Sequence, residues 1–183
     1  MPSGTTHATI SVAATPFVFY TALEATSSVP LALCAAVGCG VVGILLTPDL
    51  DQETRGWAEN KLLRNRNIVV AFIGGIHYAI WYPYGKLIPH RHFLSHLPVV
   101  GTALRLAYLA TVILFFYWIA VAGLQWDMPL PSFDSVKWYV GAVVYGLAVS
   151  DTLHWAADVI VSGLKRYSKQ RNSKNRQRRY QRK

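Results

Sequence analysis

The densest chemistry in this chain lies in Pro89-His90-Arg91-His92-Phe93-Leu94-Ser95-His96, where three histidines and an arginine share one short stretch. Imidazole nitrogens joined by carboxylates are the donor set of zinc, manganese or iron, whereas magnesium and calcium take oxygen almost alone. Carboxylates that would complete such a set lie elsewhere in the chain. Asp49 and Asp51 form an Asp-Leu-Asp pair behind a long apolar run. Asp151, His154 and Asp158 are spaced i, i+3, i+7 and would share one face of a helix. His7 stands near the start. Aspartates gathered in one place repel each other, and a bound divalent cation is the simplest way to keep them ionised. The pool of His7, Asp49, Asp51, His90, His96, Asp151, His154 and Asp158 exceeds the needs of one tetrahedral ion. We therefore expect one or two transition-metal ions, zinc first and manganese or iron as alternatives, two of them about 3.5–4 Å apart if a carboxylate is shared. Asp51 or Asp158, if not committed to metal, is a candidate general base. Lys86 and Arg91 are candidates for an anionic substrate group, the alternative being snorkelling surface charges. His77 reads as a hydrogen-bonded packing residue and His92 as facing solvent or phosphate.

The elements that must position these groups are apolar. Of 183 residues, 52% are hydrophobic and 15% charged, against about 25% charged in ordinary soluble domains. Uncharged runs cover Ala8 to Leu23, with Pro16 inside, and Leu31 to Leu46, with Gly38, Gly40 and Gly43. Small residues of this kind let helices approach closely in lipid. Ile68 to Tyr82 is apolar but short and holds Gly74 and Gly75; with Tyr82-Pro83-Tyr84-Gly85 as a break, it reads as a re-entrant or interfacial element, or a helix packed on the others. Leu106 to Leu124 is the strongest candidate span, with Arg105 at one edge and Trp126 at the other. Val136 to Val149 runs back, and its helix is expected to continue through Asp151, His154 and Asp158. Cys34 and Cys39 lie inside an apolar run, which predicts small buried thiols rather than a disulfide framework. The N-terminal residues carry no Lys or Arg, so entry into a membrane is expected through the chain's own helices.

Counting crossings brings the candidate ligands to one side. If Ile68 to Tyr82 does not cross, two crossings separate His7 from Asp49, and two more return the chain to Asp151. The net charge of +9 is uneven: ten of eighteen Lys/Arg lie between Lys165 and Lys183. The proposed inner segments also hold Arg55, Lys61, Arg64, Arg66, Lys86 and Arg91, and the outer loops only Lys137. The positive-inside rule then puts both termini in the cytoplasm. The expectation is an all-α, small integral membrane bundle of about four transmembrane helices plus a short re-entrant or interfacial helix. Residues 1–164 form the membrane domain in the plasma membrane or another cellular membrane, and 165–183 a basic, disordered cytoplasmic tail. A soluble all-helical domain is the alternative.

The opening Met-Pro-Ser-Gly-Thr-Thr-His, the Thr-Pro-Asp-Leu-Asp, the Trp-Tyr-Pro-Tyr-Gly-Lys-Leu-Ile-Pro-His-Arg-His-Phe-Leu-Ser-His and the Gly-Thr-Ala-Leu-Arg-Leu-Ala-Tyr together resemble an uncharacterised family of metal-binding membrane proteins. That family is similar to membrane-bound metal-dependent hydrolases of the YdjM type. The resemblance covers residues 1 to about 160. It implies His7, Asp49, Asp51, His90, His96 and the Asp151/His154/Asp158 group as ligands. Leu97 stands where a second serine is common, and His92 is an extra histidine.

Two functions fit these residues. One is a metal-dependent hydrolase at the cytoplasmic membrane face, acting on a phosphoester or a lipid-like substrate. The other is a non-catalytic membrane scaffold with a structural metal, recruiting a partner through its basic tail. Metal transport fits less well, because the main spans lack ionisable residues at mid-depth. The tail interleaves Tyr167 and Tyr180 with arginines, as an RNA-binding segment would. We read it instead as a topology signal that sits on anionic lipid or a protein partner, at about 1 kcal/mol per basic residue near the surface, and expect no nucleic-acid partner.

Overall fold

A computed structural model of the protein describes residues 4–51, 57–88, 97–127 and 129–180, except for the side chains of Asp49, Asp51 and residues 172–180. Those residues are all-helical. Helix α1 (Gly4–Thr26) runs through Pro16 without a break. Ser27 closes it in the left-handed region, at φ 50°, with its N–H donated to the Leu23 carbonyl at 2.7 Å. Helix α2 (Val29–Leu45) follows with Pro30 in its first turn, where a missing N–H removes no intrahelical bond. Its segment Gly38–Val42 is a π-helical turn. A 3-10 turn, Pro48–Asp51, leads towards α3 (Trp57–Leu63). Asn67 then caps α4 (Ile68–Leu87), its Oδ1 accepting from the Val69 and Val70 amides. Helix α5 (Pro98–Gly123) ends in a second π-helical turn, Ile119–Gly123. Helix α6 (Phe133–Tyr180) completes the chain.

Helices α1, α2 and α6 form the packed centre. Val18, Ala22, Ala32, Ala35 and Cys39 are its buried apolar residues. The contact is close because the residues are small. A Cβ on Gly38 would strike the backbone of Val143, and one on Gly146 the backbone of Ala35 and Cys39. Helix α1 runs antiparallel to α6, as two side-chain rungs record. Thr21 Oγ1 meets the Tyr145 hydroxyl at 2.9 Å, and Ser11 Oγ meets Ser150 Oγ at 2.8 Å. A second cluster of Leu46, Leu50, Trp81, Tyr84 and Leu147 joins the 3-10 turn and α4 to α6. The Tyr108 hydroxyl, from α5, donates to the Ile80 carbonyl at 2.6 Å.

Three helices are long and apolar enough to cross a membrane: Gly4–Thr26, Ile68–Leu87 and Pro98–Gly123. The first and third match expected spans. Val29–Leu45 is apolar but shorter, and the run from Val136 to Val149 is the opening part of the much longer α6. The stretch from Ile68, read from sequence as short, extends to Leu87 because Pro83 lies inside the helix rather than ending it. The basic segment from Lys165, expected as a disordered tail, is helical as far as Tyr180. Lys, Arg and Gln are good helix formers, and adding residues to an existing helix avoids the cost of a new nucleus.

Candidate metal centre

The antiparallel rung between Ser11 and Ser150 sets up the next one. One turn back along α1 is His7, and one turn on along α6 is His154. Their imidazoles stack, with centroids 3.6 Å apart and planes 9° from parallel. Asp158 lies a further turn along α6. Side chains on a helix lean towards its N-terminus, so Asp158 leans back over His154. One carboxylate oxygen serves each ring: His7 Nε2 is 3.4 Å from Asp158 Oδ1, and His154 Nε2 is 3.7 Å from Oδ2. His7 and His154 are more than nine-tenths buried, the Asp158 side chain is 12% exposed, and their donor atoms lie within 4.8 Å of one another.

This group fits a cation better than it fits itself. Asp158 Oδ1 is within ion-pair reach of His7, yet it has no hydrogen-bond partner among the described residues, and neither has His7 Nδ1. A neutral imidazole offers one ring-nitrogen lone pair to an ion. Metal bonds of about 2.0–2.1 Å in tetrahedral geometry put ligand atoms about 3.3–3.4 Å apart. The His7–Asp158 separation has that size, and the His154–Asp158 separation is only slightly wider. A divalent ion held by two neutral imidazoles and one carboxylate would also remove the cost of leaving these groups buried and unmatched.

Asp151 is placed in different company. Its Oδ2 receives Arg105 Nη2 at 2.5 Å and touches the Thr102 hydroxyl. Arg105 Nε donates to the Gly101 carbonyl at 3.2 Å. Arg105 and Asp151 are each 1% exposed. Arg105, expected as a membrane-edge marker, is instead the buried partner of Asp151. The available signal was a single arginine opening an uncharged run, which must find an acid if it is buried rather than snorkelling. His77, expected to be a hydrogen-bonded packing residue, lies with Nε2 3.2 Å from the Leu45 carbonyl and Nδ1 3.7 Å from buried Glu59.

The remaining sequence candidates divide by location. The backbone of Asp49 and Asp51 belongs to the 3-10 turn. Their side chains, and His90, Arg91, His92 and His96 altogether, lie outside the described residues. Lys86 is exposed, its ammonium 5.9 Å from the centre of the Tyr82 ring.

Two cavities flank the stacked histidines. A small one of about 30 Å³ is lined by residues including Gly4, Ser11, Thr47 and Trp57 as well as both histidines. That is room for one or two waters. The other is an open cleft of about 420 Å³, running from Pro48, His154 and Asp158 along α6 to Arg166.

The family model described as uncharacterized metal-binding protein (DUF2227) matches residues 2–168, and the chain belongs to that family. No curated protein and no solved structure matches the chain.

Proposed function

We propose that this member of a metal-binding family is an integral membrane protein that holds a divalent transition-metal ion, zinc first, on His7, His154 and Asp158, and uses it to hydrolyse a phosphoester or lipid-like substrate at the cytoplasmic face. The observation that carries the reading is the open cleft that reaches two of the three donors, as a catalytic site requires and a closed structural site does not. A bound ion would supply Lewis acidity towards a phosphoryl oxygen and towards water. The chain's own part is to hold two helices in register, so that His7 and His154 face one point, and to share one carboxylate between them. With Asp158 in the donor group, Asp51 is the remaining general-base candidate. Asp49, His90 and His96 are proposed as further ligands, since Pro48 borders the cleft and α5 begins two residues beyond His96.

Metal analysis of the purified protein, with a phosphoester screen run with and without chelator, tests this. A stoichiometric transition metal and chelator-sensitive turnover are expected. Metal without turnover on any phosphoester would favour the scaffold reading, for which the exposed basic residues of α6 would contact anionic lipid or a partner. Protein without metal would overturn both.

The membrane reading is supported by exposed apolar side chains along α5, among them Ile113, Leu114, Phe115, Phe116 and Trp118, each more than half exposed. The start of α1, the first turns of α5 and the middle of α6 meet at the histidine end. His77, midway along α4, bonds to the last residue of α2, which supports α4 lying at that same end rather than traversing beside α2. We therefore retain four spans with both termini cytoplasmic, in the plasma membrane or another cellular membrane. Cysteines introduced at Asn60 and at Ser132 should label from opposite sides of sealed vesicles; labelling from one side would exclude this topology.

A further inference from the structure

The open cleft beside the metal group has a chemical character of its own. Its α6 wall is the stripe His154, Trp155, Asp158, Val159, Ser162 and Arg166. Trp155 and Val159 are 44% and 52% exposed, although both border a concave surface. Asp158, Ser162 and Arg166 follow one another at four-residue spacing, so each stands about 6 Å along the axis from the next. Because helical side chains lean towards the N-terminus, Arg166 leans over Ser162, back towards the metal group. Neither the Arg166 guanidinium nor the Ser162 hydroxyl has a hydrogen-bond or ion-pair partner among the described residues. The cleft thus offers a metal-binding end, a guanidinium and a hydroxyl beyond it, and apolar walls between. Its volume falls in the range of small-ligand sites, about 300–1,000 Å³.

We infer that this cleft binds an amphipathic phosphate ester, with the phosphate on Arg166 and Ser162 and the hydrocarbon against Trp155 and Val159. A guanidinium presents paired donors that match phosphate oxygens, and a serine hydroxyl adds a third. An inorganic or small polar phosphate would leave Trp155 and Val159 uncovered; a neutral amphiphile would leave Arg166 unmatched. Helix spacing puts Ser162 one turn and Arg166 two turns from Asp158, about 6 and 12 Å along the axis. The inference deepens the hydrolase reading, but binding itself depends only on the cleft.

Binding of dodecyl phosphate, inorganic phosphate and dodecanol to the full-length metal-loaded protein, in phosphate-free maltoside detergent micelles, separates the possibilities. Dodecyl phosphate is expected to bind more tightly than either other probe. Arg166→Ala should weaken it about 10- to 100-fold, the size of a lost charged hydrogen-bond pair, while metal content stays at the wild-type level. Arg166→Lys should recover part of the loss, since it restores charge without the paired donors. Trp155→Ala should weaken dodecyl phosphate and leave inorganic phosphate unchanged. Equal binding of dodecyl phosphate by wild type and Arg166→Ala would overturn the inference. Inorganic phosphate binding as tightly as dodecyl phosphate would overturn its amphipathic part and leave a free-anion site. If the wild type carried no metal and Arg166-dependent binding persisted, the hydrolase reading would fail and this one would stand.

Discussion

Asp158→Ala is expected to lower metal affinity on the order of 10²-fold or more, and His154→Ala to do the same. Structural metal sites bind with about 10–16 kcal/mol spread over a few ligands, so each ligand carries several kcal/mol. Asp158 has a larger share than its count suggests. It is the single carboxylate of the group among the described residues and is set against both histidines, one oxygen to each. Without it, the two imidazoles of this group would face a dication with no carboxylate between them. The loss should also appear in stability. An ion present at 100 times its dissociation constant stabilises the folded state by about 2.7 kcal/mol. A chelator should therefore lower the melting temperature of the wild type and leave that of Asp158→Ala almost unchanged. That difference separates a lost ligand from a merely damaged fold, which chelation would not reveal. Ser162→Ala, one turn further along α6, should keep both the metal and the chelator response. If Asp158→Ala retains stoichiometric metal, the donor set is wrong.

The sequence made α6 legible as a ligand-bearing helix, since Asp151, His154 and Asp158 had to share a face. It did not make legible which neighbour each would meet. Asp151 lies about 10 Å along the axis from Asp158, and over that distance the facing partner changes from the start of α1 to the start of α5. Periodicity reports direction around a helix, not which element packs there. The meeting of His7 with His154 was legible only as a crossing count, which put both on one side without pairing them; the Ser11–Ser150 rung is what fixes the register. The glycines in α2 gave the right expectation of close approach. Their counterpart Gly146, on which the approach equally depends, carries no local mark. Pro83 does not end α4, which continues to Leu87, so a proline in an apolar run is a weaker stop signal than its local chemistry suggests.

The arrangement at Asp151 yields the second large effect. Arg105→Ala and Asp151→Ala should each destabilise the protein by about 3–5 kcal/mol, because each leaves one charge buried without its partner. The double variant Arg105→Met/Asp151→Leu should recover most of that loss, since a buried ion pair replaced by apolar groups of similar size is often neutral or stabilising. Recovery is favoured here because the pair is not fully satisfied: Arg105 Nη1 and Asp151 Oδ1 have no hydrogen-bond partner among the described residues. Thr102→Val, which removes only a hydroxyl from Asp151, should cost about 1 kcal/mol. Metal content then decides what Asp151 is for. If its work is to hold α5 against α6, the double variant folds, keeps His7, His154 and Asp158 in place, and retains its metal. If Asp151 is itself a ligand, every variant lacking the carboxylate loses metal, however well stability is restored. We expect the first outcome, because the described donor atoms within 4.8 Å of one another belong to His7, His154 and Asp158, and Asp151 is turned to Arg105 and Thr102 instead. Metal loss in a stably folded double variant would return Asp151 to the ligand set.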